Sequence, residues 1–188
     1  NFVIEMVTGT GKTRVSIAMV KKLFQANKIS RMLFVSDRDE LRRQTTEKFL
    51  EFLPEYPCYA YKGGNFKTEK KITVATYHSL INNYNSLTSG YYDLIIIDEC
   101  HRSIYGKFRH ILDHFHCIKI GLTATPYVFD SEIDESNEDT IIVKDTLKFF
   151  DLNEPSFKYR LKEAIKDGYL VPYSIYKAKT VKTANEDG

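Results

Sequence analysis

The sequence predicts an α/β fold, a mainly parallel sheet with helices on both faces. Two regularities carry this expectation. Short apolar runs of strand length alternate along the chain with stretches of helical spacing, the pattern that right-handed crossovers between parallel strands produce. The polar clusters also follow directly on those runs, and in such sheets ligands gather at the carboxyl ends of the strands.

The first run, Phe2 to Ile4, feeds into Met6-Val-Thr-Gly-Thr-Gly-Lys-Thr13. These residues read as a phosphate-binding loop. Gly9 and Gly11 permit backbone dihedrals that turn successive N–H groups inward around a polyphosphate, with Thr8 and Thr10 contributing to the same loop. Lys12 supplies a point charge at the terminal phosphates, Thr13 a hydroxyl for Mg²⁺, and the helix that opens here turns its positive end toward the anion, with Arg14 in its first turn. The general pattern begins with Gly, and here Met6 stands in that place. Val15, Ala18, Met19, Val20 and Leu23 then recur at helical spacing through Asn27.

The next run, Arg31 to Ser36, reads as a buried strand, with Asp37 as N-cap of an amphipathic helix over Arg38 to Leu53 that Pro54 stops. Tyr56 to Tyr61 reads as a strand, Lys62 to Asn65 as a turn, and Lys71 to Thr76 as a further strand leading to a short helix at Tyr77. Tyr91 to Asp98 is an aliphatic run of the kind found in central parallel strands, and it ends in acid. Phe108 to Phe115 has helical spacing, and Cys117 to Leu122 is a strand that ends at Thr123-Ala-Thr-Pro126. Residues 127–150 contain an acidic stretch and read as a mobile surface loop. A short helix over Tyr159 to Asp167 with Gly168 as its stop follows, then an extended segment over Val171 to Val181.

Asp98-Glu99-Cys100-His101 begins 86 residues after Lys12, and its two adjacent acids divide into separate tasks. Asp98 holds Mg²⁺, while Glu99 orients and deprotonates an attacking water. This makes Lys12, Asp98 and Glu99 the candidate catalytic set, and Thr13 with Asp98 the candidate metal ligands.

With these motifs in place the chain resembles the superfamily 2 helicases and translocases of the DEAD/DEAH-box kind. Met6 to Thr13 corresponds to motif I, Ser36 to Gln44 to Ia, Val74 to His78 to Ib, Asp98 to His101 to II and Thr123 to Thr125 to III. It is similar more closely to the motor (R) subunit of type I restriction enzymes, through the motif I loop, Asp98 to Lys107, Gly121 to Pro126, and Phe157 through Pro172. The resemblance implies the first RecA-like lobe of an ATP-driven double-stranded DNA translocase, with ATP and Mg²⁺ as cofactors and methyltransferase and specificity subunits as partners. It implies that His101, Thr123 and Thr125 couple nucleotide state to DNA, and that Arg38, Thr76 and Tyr77 touch the nucleic-acid backbone. Cys100 stands where that family has Ala and reads as packing. The same resemblance divides the chain into a motor lobe over 1–126, the acidic loop over 127–150, and a segment over 151–188 leading toward a second RecA-like lobe. A strand-separating or RNA-remodelling relative, and a nucleotide-binding scaffold without turnover, are the alternatives; Glu99 argues against the scaffold.

Net charge is +2, but Asp130 to Asp139 holds six acids and no base, so the remainder carries 27 basic against 19 acidic residues, a moderately basic body suited to nucleic acid. Cys58, Cys100 and Cys117 form no CxxC pair, which indicates neither a disulfide framework nor a zinc ribbon. No apolar run approaches membrane-spanning length, so the expected setting is cytoplasmic. His110, His114 and His116 lack a matching carboxylate or Cys set and read as surface histidines.

Overall fold

The computed structural model describes residues 1–103, 107–124 and 146–172. Its sheet has seven strands in the order β3-β4-β2-β5-β6-β1-β7, and every pairing is parallel. The strands are β1 (Phe2–Met6), β2 (Met32–Ser36), β3 (Cys58–Ala60), β4 (Ile72–Thr76), β5 (Leu94–Ile97), β6 (Ile118–Thr123) and β7 (Phe157–Tyr159). β2, β4 and β5 are buried along their whole length, as central strands covered on both faces are, and β5 is an unbroken aliphatic run.

The helices are α1 (Lys12–Gln25), α2 (Asp39–Phe52), α3 (Tyr77–Leu80), α4 (Cys100–Ser103), α5 (Lys107–His114), α6 (Thr146–Phe149) and α7 (Leu161–Lys166). One face of the sheet packs on α1 and α2 through Ile17, Val20, Phe24 and Phe49; the other packs on α3, α5 and α6 through Tyr77, Leu80, Ile111, Leu112 and Leu147. The inward stripe of α1 is Ser16, Ile17, Val20 and Phe24, whereas Val15, in the predicted apolar set, is exposed. A one-residue rotation of the stripe satisfies the same period, so spacing alone did not fix which residues face the sheet.

Three further departures from expectation have physical causes. Arg38, with extended dihedrals, occupies the N-cap position of α2, and Asp37 lies before it, ion-paired to Arg38 at 3.6 Å. Within the predicted loop over 127–150, Leu147 and Phe150 are buried and α6 packs on the core; residues 127–145 lie outside the described residues. Tyr159, read as the first residue of a short helix, instead ends the edge strand β7 (Phe157–Tyr159), paired in register with Ile4, Glu5 and Met6, and the helix begins at Leu161. Three residues are too few for periodicity to register, and pairing with a neighbour decides their conformation. The extended segment over 171–181 lies outside the described residues from position 173 onward.

Candidate active site

β1 ends at Met6, and the loop that follows is shaped by glycine. Gly9 and Gly11 stand at φ 88° and 89°, which side chains rarely adopt. The Thr10 N–H and hydroxyl both donate to the Val7 carbonyl, at 3.4 and 2.6 Å, closing the turn. α1 then begins with Gly11 as its cap, with no side-chain cap bond and no acid in its first turn. Those are the conditions under which first-turn N–H groups and the helix dipole take up an anion.

Lys12 lies over this loop. Its Nζ donates to the Met6 carbonyl at 3.3 Å and pairs with Glu99 Oε1 at 3.4 Å, its side chain being only 11% exposed. Glu99 reaches Lys12 because β5 ends in a sharp turn: Asp98 N–H still bonds the Val35 carbonyl of β2, while Glu99 takes φ 47°, in the left-handed region. For a residue with a Cβ that conformation costs on the order of 1–3 kcal/mol, and such strain clusters at functional sites. α4 starts at the next residue, Cys100, whose buried side chain packs against the backbone of Gly121; a methyl built on Gly121 would stand 2.7 Å from Cys100 Sγ. Burial pushes the Cys100 thiol far up, so it packs and does not react.

Burial, with the neighbouring Glu99 charge adding to it, pushes the Asp98 carboxyl up to about 6 despite the Lys12 ammonium, which acts in the other direction. A carboxylate held at such a cost is relieved by a cation. The donors at hand, a carboxylate and the Thr13 hydroxyl, are hard oxygens of the kind Mg²⁺ takes beside phosphates. The residues therefore fit the metal and the polyphosphate.

His101 Nδ1 lies 2.9 Å from Thr123 Oγ1 and 3.5 Å from Glu99 Oε2, which links the end of β5 to the end of β6. Thr123 is fully buried; Thr125 lies outside the described residues. A cleft of about 440 Å³ opens beside these groups, lined by Thr8, Asp37, Arg38, Glu99, His101 and Ala124 among others.

Not every predicted residue is brought to this place. The Arg14 guanidinium lies over the Phe52 ring, 5.8 Å from its centroid, turned toward α2. Thr76 is buried and forms a reciprocal cap with Ser79 at the start of α3, and Tyr77 is buried in the core beneath Phe108. These two side chains are turned into the fold, 3% and 2% exposed, because the chain turns inward where β4 passes into α3. Arg38, by contrast, is 72% exposed at the cleft. Sequence reasoning read Asp37 as a cap within the Ser36 to Gln44 stretch and gave it no task at the cleft; its position directly after a strand was the signal that it lines it. The Leu170 contact with Gly9 left no signal, since it joins segments 161 residues apart.

His114 Nε2 lies 2.9 Å from the Leu87 carbonyl and His110 is exposed; among the described residues no group of three or more His, Cys, Asp or Glu is arranged to hold a metal. No helix among the described residues is long and apolar enough to cross a membrane.

Residues 1–128 match the family described as type III restriction enzyme, res subunit. The chain is 33% identical over 181 residues to the type I restriction enzyme EcoAI endonuclease subunit of Escherichia coli, covering 90% of this chain and 20% of that protein. It is 30% identical over 198 residues to the EcoKI endonuclease subunit of Escherichia coli K12, covering 89% and 15%. The chain thus spans a fifth or less of these relatives. Among solved structures it resembles a fragment assigned as an HsdR subunit of a type I restriction enzyme from Vibrio vulnificus YJ016, with TM-score 0.62, 30% identity, and coverage of 89% of this chain and 27% of that one. The Sulfolobus solfataricus SWI2/SNF2 ATPase core shares the fold at TM-score 0.60 and 17% identity, over 79% of this chain and 33% of that one.

Proposed function

The chain belongs to the family of the type III restriction enzyme res subunit, and from that premise we propose that it is an ATP-hydrolysing motor lobe of a double-stranded DNA translocase, within a type I restriction R subunit. The observation that carries this reading is the convergence of Lys12 and Glu99, 3.4 Å apart, at the carboxyl edge of a parallel sheet beside the glycine-shaped loop.

Each residue then has a task that its surroundings suit. The loop backbone and the amino end of α1 bind the phosphates, and Lys12 exchanges Glu99 and the Met6 carbonyl for phosphate oxygens. That exchange frees the Glu99 carboxylate to orient a water and accept its proton. Asp98 and Thr13 hold Mg²⁺, which when bound neutralises charge developing on the transferred phosphoryl group. His101 and Thr123, joined at 2.9 Å, transmit the state of Glu99 to the end of β6 and toward Thr125. Arg38, exposed at the cleft, contacts the DNA phosphates and carries no base reading. Thr76 supports the same surface by capping α3. Methyltransferase and specificity subunits complete the proposed complex, and residues 151–188 lead toward its second RecA-like lobe.

The test is the polymer that stimulates hydrolysis by the full-length protein. Duplex DNA is expected to stimulate ATP turnover more than single strands or RNA; the reverse order would assign the lobe to a strand-separating or RNA-remodelling relative.

A further inference from the structure

α2 starts just past the carboxyl end of β2 and carries a second arginine one turn beyond Arg38, the Arg42 N–H donating to the Arg38 carbonyl at 3.0 Å. Their surroundings differ. Arg38 is exposed, whereas the Arg42 side chain is only 8% exposed and its Nη1 is held by Asp39 Oδ1 at 2.8 Å. The Arg42 Nε is buried and meets no acceptor among the described residues. Buried donors, above all those of charged groups, are costly to leave open, so this one calls for an acceptor that the fold does not supply.

The same side chain lines a groove of about 420 Å³ between α2 and the end of β3, with Arg43, Glu47, Ala60 and Lys62 among its walls. The acids there are engaged. Arg43 binds Glu40 at 2.6 Å and Glu47 at 2.7 Å, and Asp39 holds Arg42. Lys62 is exposed and pairs with no acid among the described residues. Its backbone is fixed by its neighbour: the Tyr61 ring is buried and stacks on Phe66 at 4.2 Å between centroids, and the Tyr61 hydroxyl donates to the Gly64 carbonyl at 2.7 Å. An ammonium and a guanidinium N–H only donate, so together they suit an anion with several acceptor oxygens.

Position identifies that anion. Glu40 lines both this groove and the cleft at Arg38, so the two adjoin across the first turn of α2. β3 lies two strands beyond β2, about 10 Å at the ordinary spacing of neighbouring strands, and all-parallel pairing brings both carboxyl ends to one edge. A nucleic-acid strand carries a phosphate every few ångströms, so a backbone seated at Arg38 and running along this edge reaches the groove. We propose that Arg42 and Lys62 form a second backbone-phosphate site, extending the path of the DNA from the cleft across α2 to the end of β3. The inference rests on the duplex-DNA reading above, and the site positions the DNA without reading bases.

Titrations of the full-length protein with duplex DNA over a range of salt concentrations test it. Lys62→Gln should weaken binding and lower the salt slope by about one unit, and Lys62→Gln combined with Arg38→Ala by about two, because the residues serve different phosphates. Lys62→Arg keeps the charge and should keep the slope. Arg42→Met fills similar space without a donor and should weaken duplex binding about tenfold, the lower end for a hydrogen bond to a charged group. Melting temperatures check the fold of each variant, and if Arg42→Met does not fold the two Lys62 variants decide. An unchanged slope in Lys62→Gln where Arg38→Ala lowers it, or unchanged binding in a folded Arg42→Met, overturns the second site and leaves the duplex reading in place. Saturable binding of inorganic phosphate that Lys62→Gln abolishes, with the DNA slope unmoved, would make the groove a free-anion site and overturn the assignment as well. A wild type that binds no duplex DNA overturns both readings.

Discussion

Two aspartates bracket β5, and the same strand gives them opposite lives. Asp93, at the amino end, accepts the backbone N–H groups of Ser30 and Arg31 at 2.7 and 3.0 Å, and the Arg31 guanidinium lies over the Tyr91 ring. Asp98, at the carboxyl end, is half-buried beside Glu99, its carboxyl raised to about 6. The amino edge of the sheet uses its polar groups to satisfy backbone, and the surface between them is an apolar groove lined by Ile4, Leu23, Ile29 and Ile120 among others. The carboxyl edge holds a raised carboxyl, a non-glycine residue in the left-handed region and a buried lysine, none of which stabilises a fold by itself. A parallel sheet makes this division possible, because every strand delivers its last residue to one edge.

The sharpest break between the edges is expected at Glu99. Glu99→Gln keeps size and position but cannot accept a proton, so DNA-stimulated turnover of the full-length protein should fall about 10²- to 10⁴-fold while the melting temperature holds. A steady-state assay giving turnover within a few-fold of the wild type would remove Glu99 from the chemistry. At the other end of the strand, Asp93→Ala should lose about 0.5–1.5 kcal/mol of stability in denaturant unfolding, because two exposed N–H groups exchange its carboxylate for water, with ATP affinity unchanged within twofold. A large loss of affinity there would merge the two edges into one functional surface.

Asp98→Asn separates the aspartates by pH. A carboxyl raised in the folded state favours folding while protonated, and that advantage is lost as pH rises from about 4 through about 6. The ligand-free variant should therefore melt higher than the wild type at pH 8 and alike at pH 4, while losing Mg²⁺-dependent hydrolysis; a constant offset across that range would contradict the raised carboxyl. The smallest effect is expected at Arg38. Arg38→Ala should weaken duplex binding and lower the salt slope by about one unit, with ATP affinity unaltered. An unchanged slope would move the DNA contact elsewhere.

Much of the carboxyl edge was legible in the sequence. The loop from Met6 to Thr13 and the acids at 98 and 99 follow their strands directly, so local pattern and strand direction together place them side by side. Orientation was less legible. Whether Arg14 turns toward the loop or toward Phe52, and whether Thr76 faces solvent or caps α3, depends on neighbours that a linear pattern does not contain. β7 escaped for a related reason: three residues acquire strand structure only by pairing with β1, more than 150 positions away. The burial of Leu147 and Phe150 was hidden in the same way, behind an acidic stretch whose composition dominates its surroundings.

The most direct measurement is calorimetric titration of the full-length protein with ATP and Mg²⁺, set beside Lys12→Ala and Glu99→Gln. Without ligand, Lys12 is engaged by Glu99 at 3.4 Å and by the Met6 carbonyl at 3.3 Å, and binding must exchange these for phosphate. Lys12→Ala should accordingly weaken ATP about 10- to 100-fold, the worth of a charged hydrogen bond. Glu99→Gln should bind ATP as tightly as the wild type or more so, because its loss releases the lysine. Wild-type affinity in Lys12→Ala, or a collapse of affinity in Glu99→Gln, would contradict a phosphate site built on this pair.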